Sequence, residues 1–164
     1  MKVIVDTNVP IVANKAAIQA SGICVLACVR WLNDIQCYHT LVLDDGWYIL
    51  REYMGRLRSE GQPGVGDAFL KWVLTNRSNP LRCEQVHITA IHDPLDGRAF
   101  SEFPDDAALA GFDRSDRKFV AVAQAHPEHP SILNAVDPDW WQYYDALLRH
   151  GIRIEFICPD AMTS

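Results

Sequence analysis

The sequence predicts an α/β protein built on a mostly parallel central sheet. Three observations lead there. Short apolar runs such as Val3-Ile4-Val5 and Leu41-Val42-Leu43 are continuous rather than alternating, the pattern of strands buried on both faces. Segments with helical spacing separate these runs, and the strand–helix order recurs along the chain. The 164 residues, 49% hydrophobic and 22% charged, suit one domain with one core, so residues 1–164 are read as a single unit. There is no internal repeat and no low-complexity tract.

Taken in order, Val3-Ile4-Val5 is the first strand, and Pro10 is expected to end it. Residues 21–36 form a helix with Ser21 as its amino cap and Ile23, Leu26, Ala27, Trp31 and Ile35 on its apolar side. Thr40-Leu41-Val42-Leu43 is the second strand. Asp44-Asp45-Gly46 closes it and opens a helix over residues 47–59. The glycine- and proline-rich residues 61–66 are a loop, and a short helix follows over 68–75. Residues 86–89 read as a short extended segment. Residues 92–111 lose all periodicity and form a surface excursion, with a helical turn at 106–110. Residues 117–124 form a helix ended by Pro127, and residues 131–136 form a strand. A helix over 140–150, stopped by Gly151, leads to a last strand over 152–157.

The net charge of −6 argues against a protein that holds nucleic acid by phosphate neutralisation alone. It does not argue against a nuclease, whose carboxylates need a metal cation to meet phosphate. No apolar run is long enough to span a membrane, and the amino terminus enters a strand directly, without a secretory signal. The five cysteines show no Cys-x-x-Cys spacing and read as reduced, buried small apolar residues of a cytoplasmic protein.

Chemistry points to the strand ends. Asp6 closes the first strand and Asp137 follows the strand over 131–136, so a parallel sheet brings both carboxylates to one edge, where ligands of open α/β sheets collect. Asp116 stands at the first turn of the helix over 117–124, and Glu52 lies on the helix after the second strand. Carboxylates this close would raise one another's pKa values, and a hard divalent cation relieves that repulsion.

These residues carry a resemblance. Val3–Asn8 (VIVDTN), LREYMGRL around Glu52, FDRSDRKFVAVA around Asp116 and NAVDPDW around Asp137 look like the successive motifs of PIN-domain ribonucleases, in matching order over nearly the whole chain. The resemblance implies a Rossmann-like, three-layer α/β/α fold and Mg²⁺- or Mn²⁺-dependent cleavage of RNA. It implies Asp6, Glu52, Asp116 and Asp137 as the catalytic acids, with Asp6, Asp116 and Asp137 holding metal and Glu52 completing the site or positioning water. Asn8 matches the polar position that orients the first acid, and Asp113 and Asp139 are auxiliary, Asp139 competing with Asp137 for the fourth place. Two departures stand out: Asn134 and Ala135 replace the usual Thr or Ser before the fourth acid, and the 92–111 excursion is longer than in compact toxin members.

The expected activity is therefore a metal-dependent endoribonuclease, with a toxin and its antitoxin protein as one setting. The alternatives are a catalytically idle binding module of the same fold and a DNA-directed nuclease. Trp140-Trp141 and Tyr143-Tyr144 suggest core packing and a homodimer face. The His126-Pro127-Glu128-His129 segment is expected to be an exposed loop, because Pro127 keeps its histidines off a common helical face. Arg51, Arg56, Arg58, Lys71, Arg114, Arg117 and Lys118 are expected on the surface, able to follow a phosphate backbone.

Overall fold

Val3, Ile4 and Val5 have no exposed surface, and the strand they form is the middle of the sheet. The structure, a computed structural model, describes residues 1–163. Five strands, β1 (Lys2–Val5), β2 (Thr40–Asp44), β3 (Cys83–Val86), β4 (Ser131–Asn134) and β5 (Ile154–Phe156), pair in parallel in the order β3-β2-β1-β4-β5. Strand order reverses between β1 and β4. The carboxyl edge at such a reversal opens a crevice, because the connections leave it toward opposite faces of the sheet.

The helices are α1 (Asn8–Ala13), α2 (Gly22–Tyr38), α3 (Tyr48–Arg56), α4 (Val65–Asn76), α5 (Arg117–Ala125), α6 (Pro138–Gln142) and α7 (Tyr144–Arg149). Helices α1, α2 and α4 pack on one another, while α5 lies on β1, β2 and β4 with α3 beside it. The chain steps one way across the sheet from β1 to β3 and the other way from β3 to β5, so the usual right-handed crossover puts α2 and α4 on one face and α5 on the other, an arrangement consistent with three α/β/α layers. Among the described residues no helix is long and apolar enough to cross a membrane.

The structure departs from the sequence expectations at several points, each for a local reason. Pro10 does not follow a strand; it lies in the first turn of α1, where a missing N–H leaves no hydrogen bond unmade. In α2 the buried stripe is Cys24, Cys28, Leu32 and Ile35, while Ile23 is 84% exposed, because the cysteines act as the small apolar residues facing the core. Cys24 and Cys158 form a disulfide, correcting the reading of all five cysteines as reduced. The helix after β2 is shorter than expected, with buried Asp44 accepting the N–H groups of Gly46, Tyr48 and Ile49 at its start. The third strand lies upstream of residues 86–89. The helix expected over 140–150 is two helices, broken at Tyr143, and Gly151 (φ 78°) terminates the second.

His126 is also corrected. It is buried, its Nε2 lies 2.6 Å from Glu84 Oε2, and its Nδ1 accepts the Glu128 N–H at 3.0 Å, so it anchors the turn into β4 rather than lining an exposed loop.

Candidate metal centre and active site

Asp6 leaves the end of β1, with its own N–H donating to Leu133 O of β4 at 3.1 Å. The carboxylate is buried and both oxygens are held. Oδ1 accepts from the Asn8 backbone N–H at 2.8 Å and from Asn8 Nδ2 at 2.7 Å; Oδ2 accepts from Trp140 Nε1 at 2.9 Å. Asn8 thus orients the first acid as expected. It does more, for its Nδ2 also donates to Asn134 Oδ1 at 2.8 Å, and its Oδ1 accepts the N–H groups of Ala135 (2.8 Å) and Val136 (3.2 Å). Asn134, fully buried, donates to Asp137 O at 2.9 Å and accepts the Asp137 N–H at 3.2 Å. One amide network therefore ties the two strand ends that deliver Asp6 and Asp137.

Asp116 arrives from the opposite direction. A 3₁₀ turn over Arg114–Asp116 leads into α5, and Asp113 caps it by accepting the N–H and Oγ–H of Ser115, both at 2.9 Å. Asp113 is thus a cap that sets the turn, and its capping bonds hold its carboxyl below the usual range. Asp137 caps α6, accepting the Asp139 N–H at 3.0 Å. One carboxylate oxygen from each of Asp6, Asp116 and Asp137 lies within 4.8 Å of the other two. Asp137, not Asp139, is the acid in this trio. Asp139 stands beside it, its carboxyl pushed up by burial and by the Asp137 charge.

Burial is the main force on Asp6 and Asp116. It raises the pKa of Asp6 against the bonds from Asn8 and Trp140, and the Asp137 and Glu52 charges add to the rise. Burial likewise raises Asp116, reinforced by the Asp6 and Asp137 charges. No Lys, Arg or His forms an ion pair with these three carboxylates among the described residues.

Glu52 borders the trio without joining it. Its Oε1 accepts from Lys118 Nζ at 2.8 Å, and its Oε2 accepts from the Thr7 hydroxyl. The surface pairing of Glu52 with Arg56 that the sequence spacing allows is replaced by this contact. Beside Glu52, the buried Tyr53 hydroxyl donates to Val5 O at 2.5 Å, fixing α3 against the end of β1. Lys118 is itself corrected: its side chain is only 10% exposed, with Nζ between Glu52 and Ser115 O. Arg117 is buried too. Its guanidinium donates to the carbonyls of Phe112, Ala110, Leu109 and Gly97, so it pins the 92–111 excursion rather than facing solvent.

Sequence reasoning gave Trp140 and Asn134 no site role. The signal available for Asn134 was a polar amide closing the apolar run Ile132-Leu133; for Trp140 there was none, since its role depends on a contact 134 residues away in sequence. Trp141, by contrast, is 46% exposed and stacks edge-on with Phe156.

Three converging carboxylates without a cationic partner, Asp6 and Asp116 buried and Asp137 half-buried, could serve as the donor set of a hard divalent cation, which takes oxygen ligands and keeps part of its water shell. No family model, curated protein or solved structure matches this chain.

Proposed function

We propose that this protein is a metal-dependent endoribonuclease of the PIN-domain kind, with Asp6, Asp116 and Asp137 holding Mg²⁺ or Mn²⁺. The observation that carries the reading is the convergence of these carboxylates, from three separated segments, at the carboxyl edge where strand order reverses. When bound, the cation supplies an activated water and charge stabilisation for the leaving oxygen of a phosphodiester.

The chain's own residues do the rest. Asn8 and Trp140 fix the Asp6 oxygens, so that the first acid needs no reorientation on binding metal. Asn134 sets the distance between the β1 and β4 ends and thereby between Asp6 and Asp137. Glu52, held by Thr7 and Lys118, stands where it can accept a hydrogen bond from a water at the rim. Lys118 keeps a positive charge beside the acids, which offsets part of their repulsion toward a phosphate. A cytoplasmic toxin role, with an antitoxin as partner, is a setting of this reading and rests on the small single domain alone. The idle-module alternative is weakened by the trio's completeness, since a pure binding surface has no use for three clustered carboxylates, two of them buried, without a cationic partner.

The experiment is cleavage of single-stranded RNA with Mn²⁺. Wild type is expected to cut and Asp6→Asn to lose at least a hundredfold of the rate, about 3 kcal/mol of transition-state stabilisation. Equal activity in the two proteins would remove the assignment.

A further inference from the structure

Beside the carboxylates lies a cavity of about 360 Å³ lined by Tyr48, Ile91, Phe100, Arg114, Ser115 and Lys118, among others. It is contiguous with the site through its own wall. Lys118 bonds Glu52, and Ser115 immediately precedes Asp116. The 92–111 excursion, the part of the chain with no periodic pattern, builds the other wall. Ile91 N–H donates to Ala99 O at 2.8 Å and Ser101 N–H to Thr89 O at 2.9 Å, with an antiparallel bridge between Ala90 and Phe100. Ala99 turns the chain at φ 73°. Phe100 meets Tyr48 edge-on, with centroids 5.1 Å apart, so the two rings hold each other in place. Arg117 secures the same excursion at Gly97.

The chemistry of this cavity is divided. Its lining combines the rings of Tyr48 and Phe100 and the Ile91 side chain with two cations, the exposed Arg114, whose Nη1 donates to Gly97 O at 3.5 Å and leaves the rest of its guanidinium fork to solvent, and Lys118, paired with Glu52. A flat, partly apolar group attached to an anion fits that division. The neighbouring cavity of about 510 Å³ does not suit an anion: Asp93, Asp96, Asp105 and Asp106 line it. Its arginines are engaged, Arg98 by Asp96 and Arg117 by backbone carbonyls. A polyanionic strand crossing the carboxylate site is therefore steered over Arg114, away from the aspartates.

We infer that the Tyr48–Phe100–Arg114 cavity receives one unpaired base of single-stranded RNA, next to the phosphate bound at the carboxylates, with Arg114 on an adjoining phosphate. The inference rests on the nuclease reading, and it makes the excursion a specificity element: a duplex cannot offer the base.

The test is binding of a fluorescently labelled single-stranded RNA of mixed sequence, read by anisotropy with Ca²⁺ in place of Mn²⁺, so that the carboxylates are neutralised, and with a gel that confirms the RNA stays intact. Ile91→Trp, which fills the cavity, and Arg114→Ala are compared with wild type. Aromatic stacking of one base corresponds to roughly tenfold or more in affinity. Ile91→Trp is expected to bind the single strand about tenfold more weakly and an RNA duplex as wild type does, Arg114→Ala to weaken both through the lost phosphate contact, and both variants to keep the wild-type thermal response to Mn²⁺. Unchanged single-strand binding in Ile91→Trp and Arg114→Ala would overturn the cavity assignment while leaving the metal site standing. Loss of binding to single strand and duplex alike in Ile91→Trp would also overturn it, since a base pocket does not read a duplex. A wild type that binds single-stranded RNA through this cavity yet cuts none with Mn²⁺ would instead sink the nuclease reading and keep the cavity as a binding site. A wild type that binds no RNA would end both.

Discussion

At the residue scale the site depends on two asparagines more than on any acid. The side chains of Asn8 and Asn134 make six N–H···O hydrogen bonds, one to each other and five to groups just past the ends of β1 and β4. Removing a buried amide leaves its partners desolvated and unbonded, which costs far more than an average hydrogen bond contributes. Asn134→Ala is expected to lower stability by about 1–3 kcal/mol and to cut the affinity for Mn²⁺ by displacing Asp137. Urea unfolding and metal titration of that variant check this; a fully stable protein with wild-type metal affinity would mean the network is incidental. The acids themselves were legible in the sequence because each follows an apolar run or opens a helix. The asparagines were less so. Asn134 stood out only as a departure from the usual Thr or Ser, and its bonding could not be read without knowing that β1 and β4 are neighbours. Lys118 and Arg117 were misplaced for a related reason: sequence pattern treats a cation at a helix start as solvated, whereas here a carboxylate and a ring of carbonyls bury them.

At the element scale the sheet was legible and the helices only in part. Strands buried on both faces announce themselves as continuous apolar runs, so β1, β2 and β4 were placed within a residue or two. Helix α1 was missed because Pro10 was taken as a stop, although proline suits a first helical turn. The packing of α1 on α4 shows why that short helix persists. A Cβ placed on Gly66 would lie 2.0 Å from the Pro10 carbonyl oxygen, so only glycine lets α4 approach this closely. Gly66→Ala is expected to force α4 off α1 and to destabilise by about 1–3 kcal/mol. Gly55→Ala, where a Cβ meets nothing within 4 Å, is expected instead to be neutral or to stabilise by up to about 1 kcal/mol. Chemical denaturation of the two proteins side by side separates crowding from helix propensity; equal shifts of one sign would contradict the packing argument. The 92–111 excursion was recognised as irregular, but its purpose was not, because its anchors on Thr89, Ala90 and Arg117 are tertiary contacts.

At the scale of the whole molecule, the fold directs several independent features to one rim. Strand reversal opens the crevice, β1 and β4 deliver Asp6 and Asp137 to it, α5 brings Asp116, and α3 brings Glu52. The disulfide between Cys24 and Cys158 links α2 to the segment after β5 across 134 residues, and Met162 of that segment lies 3.7 Å, sulfur to nitrogen, from the Asn134 amide. A cross-link closing so long a loop stabilises typically by about 2–4 kcal/mol. That tether went unread in the sequence because connectivity between distant cysteines has no local signature.

Holding these carboxylates together opposes folding, and the sign of the effect follows from the raised pKa values of Asp6 and Asp116. A carboxyl that binds its proton more tightly in the folded protein contributes its full share of stability at acid pH, below its unfolded pKa. That share is lost as the pH rises out of the ordinary carboxylate range and through the raised folded values of Asp6 and Asp116. A divalent cation removes the repulsion. The most direct measurement is therefore thermal unfolding of wild type and Asp116→Asn, with Mn²⁺ or with EDTA, across that pH range. Wild type in EDTA is expected to melt lower as pH rises, and Mn²⁺ to restore the loss, by roughly 5–10 °C when the metal stands at a hundred times its Kd. Asp116→Asn is expected to melt higher than wild type in EDTA near neutral pH and to respond weakly to Mn²⁺. A wild-type midpoint that millimolar Mn²⁺ leaves unmoved at every pH would contradict a shared metal site at Asp6, Asp116 and Asp137.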